Sequence, residues 1–375
     1  MKKLGYIILF LLSVSAYGQL PNGSYTLIHT QTARTYEPGR LVLKTNMNFW
    51  TKLAKYIGDP SLKPSDFKEL NAWVAQGNIN FTYGIVNHLD LTMATMIYQD
   101  TQTGEKKYNL PDNITLMMKF GNYAFAKRMF MFSGIIASKF FTGEKWNYSM
   151  AQYQSGGVEY GLSTALTYFS DPYLPERAFS ASLNLGWWNH NDAGRLQYGR
   201  LASSVNAQEL QYGLGLVYPT EKFDFMLEFN GMSYLVQPDS FVYSRDDWMY
   251  ISPAMRYKAL SWMSIDLGVD FRLSSGEYSS YRGANLENRD LPVYPSWKVQ
   301  LGVNFKILPI GVSGKTATER EREVFNKRVD YFQNILKERE ESENIEQELE
   351  KLKEERKQAE QELEELKQIL EEEGN

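Results

Sequence analysis

Trp297-Lys298-Val299-Gln300-Leu301-Gly302-Val303-Asn304-Phe305 decides the class of this fold. Its odd positions are apolar and its even positions are polar or glycine. Side chains of an extended chain point alternately to opposite faces, so the stretch reads as a strand with one apolar side. Met263 to Arg272 repeats the pattern, with Met263, Ile265, Leu267, Val269 and Phe271 set against Ser264, Asp266, Gly268, Asp270 and Arg272. Leu210 to Tyr218 and Tyr160 to Tyr168 do the same. Runs of about nine residues have the length of a membrane-crossing strand, beyond the ~5–6 of a soluble sheet.

The ends of these apolar faces are aromatic. Tyr160 and Tyr168, Tyr212 and Tyr218, and Trp297 and Phe305 each bracket an aliphatic stretch. Amphipathic rings settle at a membrane–water boundary, and a row of such strands makes two aromatic girdles around an apolar band. A soluble sandwich would bury the apolar faces against each other. It leaves unexplained both the strand length and the Asn, Ser, Gly and Asp on the second faces.

Composition agrees with this reading. The 375 residues include 25 Tyr, 20 Phe and 8 Trp, yet mean hydropathy is only −0.43. Beyond the first 20 or so residues no apolar run approaches the ~18 of a spanning helix, which excludes a polytopic helical membrane protein. There is no cysteine and there are 3 histidines, so disulfides, thiolate sites and a thiol nucleophile are excluded. No metal site or cofactor is expected. A net charge of −5 gives no footprint for nucleic acid.

The chain opens Met1-Lys2-Lys3, continues through an apolar run from Leu4 to Val14, and reaches Ala16-Tyr17-Gly18. A positive start, a short apolar core and a small-x-small site read as a secretory signal peptide over residues 1–18. The run is too short to be a comfortable anchor helix. Residues 19–38 form a polar segment, either folding into the lumen and narrowing it or remaining a short periplasmic lead-in. The barrel is expected over residues 39–308 and a linker over 309–315. The charge then changes sharply: residues 315–375 carry a net −8 and the rest of the chain +3.

Twelve strands are expected, near residues 39–52, 73–87, 89–100, 113–126, 129–142, 158–170, 179–191, 207–219, 223–235, 246–258, 262–274 and 295–307. Their connections alternate short and long, as in outer-membrane barrels with short periplasmic turns. An even count puts both chain ends in the periplasm.

On these features the chain resembles bacterial outer-membrane β-barrels of the broad porin and OmpA-type group, over about residues 19–307. The closing strand from Trp297 to Phe305 is similar to the terminal signal read by that group's barrel assembly machinery, although here a tail follows it. The resemblance implies an outer-membrane location with lipid and the assembly machinery as partners. It says little about cargo.

With the apolar face on lipid, the other face lines the interior. The charged members of that lining are Lys44, Lys119, Lys139, Glu228, Arg256, Asp266, Asp270, Arg272 and Lys298. They stand among amides such as Asn46, Asn48, Gln76, Asn78, Asn80, Asn184, Asn230 and Asn304. Two states satisfy such groups, a narrow watered channel or a lumen closed by Arg/Asp pairs. An enzyme reading rests on His190-Asn191-Asp192 alone. It lacks a nucleophile elbow, and His190 reads as an exposed residue of an outer loop. The chain is therefore read as a non-enzyme.

Residues 316–375 are helix formers. Ile345, Leu349, Leu352, Leu363, Leu366 and Leu370 recur at alternating steps of four and three, with Arg356 and Ala359 completing the frame. That is a coiled-coil seam, in the periplasm by the strand count. It provides for self-association or a periplasmic partner, against the alternative of a solvated single helix. The sequence thus points to a porin-like channel for small solutes with a periplasmic tail. The alternatives are a closed structural protein organising the envelope and a surface hydrolase.

Overall fold

A computed structural model describes residues 20–54, 70–101, 112–143, 146–172, 174–197, 201–287 and 290–309. In the tail it describes helical positions at 326, 329–330, 332–333, 336–337, 339, 349 and 351–357. Two compact units are present, Met1–Val312 and Ser313–Asn375. The expected signal peptide and most of the linker lie outside the described residues.

The first unit is a closed antiparallel barrel. Its strands are β1 (Leu41–Ala54), β2 (Leu70–Val86), β3 (Leu89–Thr101), β4 (Asn113–Phe125), β5 (Phe130–Phe141), β6 (Val158–Phe169) and β7 (Ser180–Asn189). A small hairpin, β8 (Leu196–Gln197) and β9 (Leu201–Ala202), stands apart from the wall. The wall resumes with β10 (Gln208–Pro219), β11 (Phe223–Val236), β12 (Trp248–Leu260) and β13 (Met263–Arg272). Helix α1 (Tyr281–Glu287) precedes β14 (Trp297–Leu308), which pairs with β1 from Leu41↔Leu308 to Phe49↔Val299 and closes the ring. The wall therefore holds twelve strands, at the positions that the alternation marks. Closure leaves no open sheet edge.

The two faces are inverted relative to a soluble protein. In β13 the outward Leu267 and Phe271 are 47% and 49% exposed, whereas Asp266 and Asp270 are each 1% exposed. In β6, Tyr160 and Leu162 are exposed while Ser163 and Thr167 are buried. An apolar surface this extensive is foreign to soluble monomers and suited to hydrocarbon. About 12 residues at ~3.3 Å rise, tilted about 40°, cross roughly 30 Å, the thickness of a bilayer core.

Rings gather at the short-turn end. Phe130 stacks near Phe125 and Tyr168 (centroids 5.7 and 5.3 Å), Phe223 lies 5.1 Å from Tyr257, and Trp262 lies 6.1 Å from Phe305. At the long-loop end Tyr160 meets Trp187 edge-on at 6.0 Å. Of the expected girdle, Tyr160 and Tyr218 are exposed (41% and 64%). Tyr168, Tyr212, Trp297 and Phe305 are half-buried. Trp297 leans on a cluster of Trp50, Val74, Met150 and Leu286, and Tyr212 on one of Met232, Trp248 and Tyr294. Loops folded over the rim account for both.

Tail residues Leu349 and Leu352 are helical and exposed (48% and 64%). Ile345, Leu363, Leu366 and Leu370 lie outside the described residues.

Leu214, midway along β10 and 38% exposed, tests the orientation of the wall. Leu214→Arg is expected to cost about 2–4 kcal/mol in unfolding from lipid vesicles, the cost of an arginine near the midplane. A loss below ~0.5 kcal/mol, that of an ordinary surface site, contradicts a lipid-facing Leu214.

Candidate lumenal site

The inner wall is too polar to be left alone, and the N-terminal segment satisfies much of it. Residues 20–36 of the segment pack against the inner wall, while Glu37 and Pro38 are exposed. Ser24, Thr26, Thr30, Gln31 and Ala33 are each at most 1% exposed. The segment doubles back on itself at a tight turn. Leu27 N–H donates to the Thr30 carbonyl (3.0 Å) and Ser24 Oγ to the Arg34 carbonyl (2.8 Å). This makes a compact plug.

Its backbone is held by side chains from most of the wall. Glu228 on β11 accepts three successive N–H groups, from Ile28 (2.8 Å), His29 (3.0 Å) and Thr30 (2.6 Å). A carboxylate gathering backbone donors makes charge-assisted bonds, roughly twice as strong as neutral ones. On the opposite sign, Lys44 Nζ donates to the Thr26 and Leu27 carbonyls (3.1 and 2.9 Å), Arg256 to Thr26 (3.0 Å) and Lys119 to Ser24 (3.0 Å). Asn184 grips Gln31 at both N–H and C=O (2.6 and 2.8 Å). Thr167 accepts from Ala33 N–H (2.9 Å), and Asp90 accepts from Tyr36 N–H (3.0 Å). His29 Nε2 lies 2.9 Å from Asp270 Oδ1.

Two local devices seat the plug. A bulge in β4 between Phe120 and Tyr123 places Asn122 at φ 60°. There its N–H reaches the Ala33 carbonyl (2.8 Å), and its amide oxygen accepts from Thr35 N–H (3.1 Å). Bulges re-aim groups in this way. The second device is missing side-chain volume. A Cβ on Gly121 would stand 2.6 Å from the Ala33 carbonyl oxygen, and one on Gly84 2.4 Å from the Glu37 carbonyl oxygen.

The charged lining residues sort into three groups. Lys44, Lys119, Glu228 and Arg256 touch the plug directly. Asp266 holds Arg256 through paired bonds of 2.6 and 2.8 Å, a neutralised bidentate pair, and Asp270 takes His29. Lys139, Arg272 and Lys298 make their described contacts with other partners. Lys139 pairs with Glu159 (2.6 Å), Lys298 with Asp270 (3.6 Å), and Arg272 donates to the Tyr294 carbonyl (2.8 Å), clasping a loop rather than an aspartate. Asp90, Asn122 and Thr167 are plug contacts outside the expected set; Asp90 and Thr167 share the inward parity of their strands, whereas Asn122 turns inward only through the bulge.

Above the plug lies a chamber of about 210 Å³. Leu20, Pro21, Ile28 and His29 form its floor, and Met150, Gln152, Gln154 and Tyr294 its roof. Between them stands a wall of amides. Asn46↔Asn78 and Asn48↔Gln76 are directly opposed across β1 and β2, and Gln300 faces Asn48 from β14. The loops of the roof are bound to one another. Asn147 donates to the Tyr243 carbonyl (2.9 Å), and Tyr294 Oη to the Asp246 carbonyl (2.9 Å).

His190 overturns its sequence reading. One residue beyond β7, it is fully buried rather than exposed. Its neighbours in sequence read as loop, but its partners come from two other strands. Nε2 lies 2.8 Å from Glu209 Oε1 and Nδ1 3.2 Å from Glu159 Oε1. Glu159 also accepts from Trp188 Nε1 (3.0 Å) and Ser155 N–H (2.7 Å). Asp192 accepts from Tyr153 Oη (2.7 Å) and Ala207 N–H (2.7 Å), so it holds loops together and does not orient a base. No metal-holding cluster of His, Asp and Glu is present among the described residues.

No protein-family model and no curated protein matches the sequence. Among solved structures the fold is similar to an outer-membrane channel from Pseudomonas putida F1. Identity is 9% over 77% of this chain and 100% of that one, with a TM-score of 0.47. The translocator domain of the autotransporter NalP from Neisseria meningitidis matches at 8% identity over 72% of this chain and 89% of that one, TM-score 0.38. A mutant of the monoaromatic hydrocarbon channel TodX matches at 10% over 78% and 95%, TM-score 0.37.

The His190 cluster carries a pH prediction. Burial opposes the imidazolium charge, but Glu159 and then Glu209 outweigh it and raise the pKa to about 9. A folded-state value above the unfolded ~6.5 means that the stabilisation is complete below ~6.5 and is lost as pH rises through about 9. Thermal unfolding in detergent is expected to show stability falling between pH 7 and pH 10. His190→Gln removes that His-linked fall. An unchanged profile in the variant contradicts the assignment.

Proposed function

We propose that this chain is a plugged outer-membrane channel for small polar solutes, with residues 20–38 as the gate. The supporting observation is the combination of a polar chamber and a floor made of a separate, removable segment. A permanently closed barrel has no use for a lumen that stays amide-lined above its seal. The wall contacts of the plug are hydrogen bonds and ion pairs rather than a continuous apolar core, and these exchange with water when the plug leaves. The short-turn end faces the periplasm in this reading, and the plug enters from that side, where Gly39 N–H bonds the Gly84 carbonyl (2.9 Å).

The tail belongs to the proposal as a periplasmic coiled coil that associates with a second copy or an envelope partner. Its exposed Leu349 and Leu352 support that role. Outer-membrane lipid and the barrel assembly machinery are the remaining proposed partners.

The second reading, a closed structural barrel, is favoured by the triple N–H grip of Glu228. The hydrolase reading has little behind it, because both ring nitrogens of His190 face carboxylates. Planar-bilayer recording separates the first two. The full chain is expected to be silent or to flicker. A variant lacking residues 20–36, or one with Glu228→Gln and Gly121→Val together, is expected to conduct steadily. A folded, heat-modifiable deletion variant that stays silent would falsify the channel reading and leave the structural one.

A further inference from the structure

We infer that the chamber above the plug is a binding site for an uncharged polyhydroxylated molecule of about monosaccharide size. The inference rests on the channel reading only in treating the chamber as a place that solutes reach.

First, the chamber wall presents half-buried amides from Asn46, Asn48, Gln76 and Asn78. An occupant that both accepts and donates hydrogen bonds answers them, and a hydroxyl does both. Each amide offers a donor and an acceptor about 2 Å apart, a spacing that suits neighbouring hydroxyls.

The second argument is charge. The charged groups of the described lining are His29, Lys139 and Lys298. Each has a carboxylate beside it: Asp270 at 2.9 Å, Glu159 at 2.6 Å and Asp270 at 3.6 Å. A charged ligand would compete with existing pairs, whereas a neutral one leaves them intact.

The third is shape. Trp50, Trp248, Tyr250 and Tyr294 bring aromatic surface to a space otherwise walled by amides. Apolar ring faces beside polar groups match the alternating C–H faces and hydroxyl edges of a sugar ring. A volume of about 210 Å³ falls below the ~300–1,000 Å³ of sites for drug-sized ligands. A purely hydrocarbon ligand of that size would leave the amide groups unpaired at full desolvation cost.

The test uses the full chain in detergent, titrated with glucose, galactose and myo-inositol, with benzoate and toluene as comparators. Binding is followed by tryptophan fluorescence and calorimetry. At least one polyol is expected to bind saturably and more tightly than either comparator. Gln76→Leu removes an amide from the chamber wall and is expected to weaken binding about tenfold. Asn48→Leu, at a half-buried side chain, is expected to weaken it as well. Trp187→Phe, on a different residue outside the chamber, is expected to leave it unchanged. Heat-modifiable migration confirms that each variant is folded. The inference is overturned if no polyol saturates below about 100 mM, far weaker than a specific site. It is equally overturned if benzoate or toluene binds more tightly, or if Gln76→Leu and Asn48→Leu bind as the native chain does. Steady conductance of the plug-deleted chain without polyol binding removes this inference and keeps the channel. Binding without conductance does the reverse.

Discussion

A barrel of this width turns a ring of charges and amides inward, and each must find water or a partner. Glu228 shows how that constraint is met here. Deep in the lumen at 0% exposure, it takes its donors from three consecutive residues of the plug. Elsewhere on the wall, Lys44, Lys119 and Arg256 take carbonyl oxygens from the same short segment. The plug works because its backbone offers both signs of dipole within a few residues, so one chain answers a wall of mixed charge. The bulge at Asn122 and the bare glycines at 84 and 121 follow from the same need, since a backbone has to come close before its N–H and C=O groups are in reach.

The constraint also divides the lumen. Below, the wall is charged and the plug covers it. Above, the wall turns to amides and aromatic rings, and its few charges are neutralised in place by Glu159 and Asp270. The change from charge to amide along the axis separates the part of the lumen that holds the plug from the chamber above it. The outer loops close the top through contacts of their own, with His190 locked between Glu159 and Glu209 at the rim.

The barrel was legible because period-two alternation is local. Met263 to Arg272 announces both of its faces without reference to any other strand, and the structure exposes Leu267 and buries Asp266 accordingly. The lining charges followed from the same parity. The plug was legible only as one of two alternatives. Thr30 to Thr35 has no period, and its partners are scattered over β4, β6, β7 and β11, so nothing within the segment names them. His190 failed for a related reason. Its neighbours Asn189, Asn191 and Asp192 read as solvated loop, while the carboxylates that bury it arrive from β6 and β10. Asn46, Asn48 and Gln76 were visible as inward residues, but the chamber they line exists only once the barrel is assembled.

Occupation of the lumen by the N-terminal segment is the central claim, and a cross-link tests it most directly. The native chain has no cysteine. A Cβ placed on Gly215 lies 3.1 Å from the Cβ of Thr30, near the ~3.5–4.5 Å of a disulfide. The double variant Thr30→Cys, Gly215→Cys, inserted in the outer membrane and mildly oxidised, is predicted to form that bond and to lose reactivity toward a thiol reagent until reduced. Two thiols that stay separately reactive in the folded, membrane-inserted protein would contradict the account.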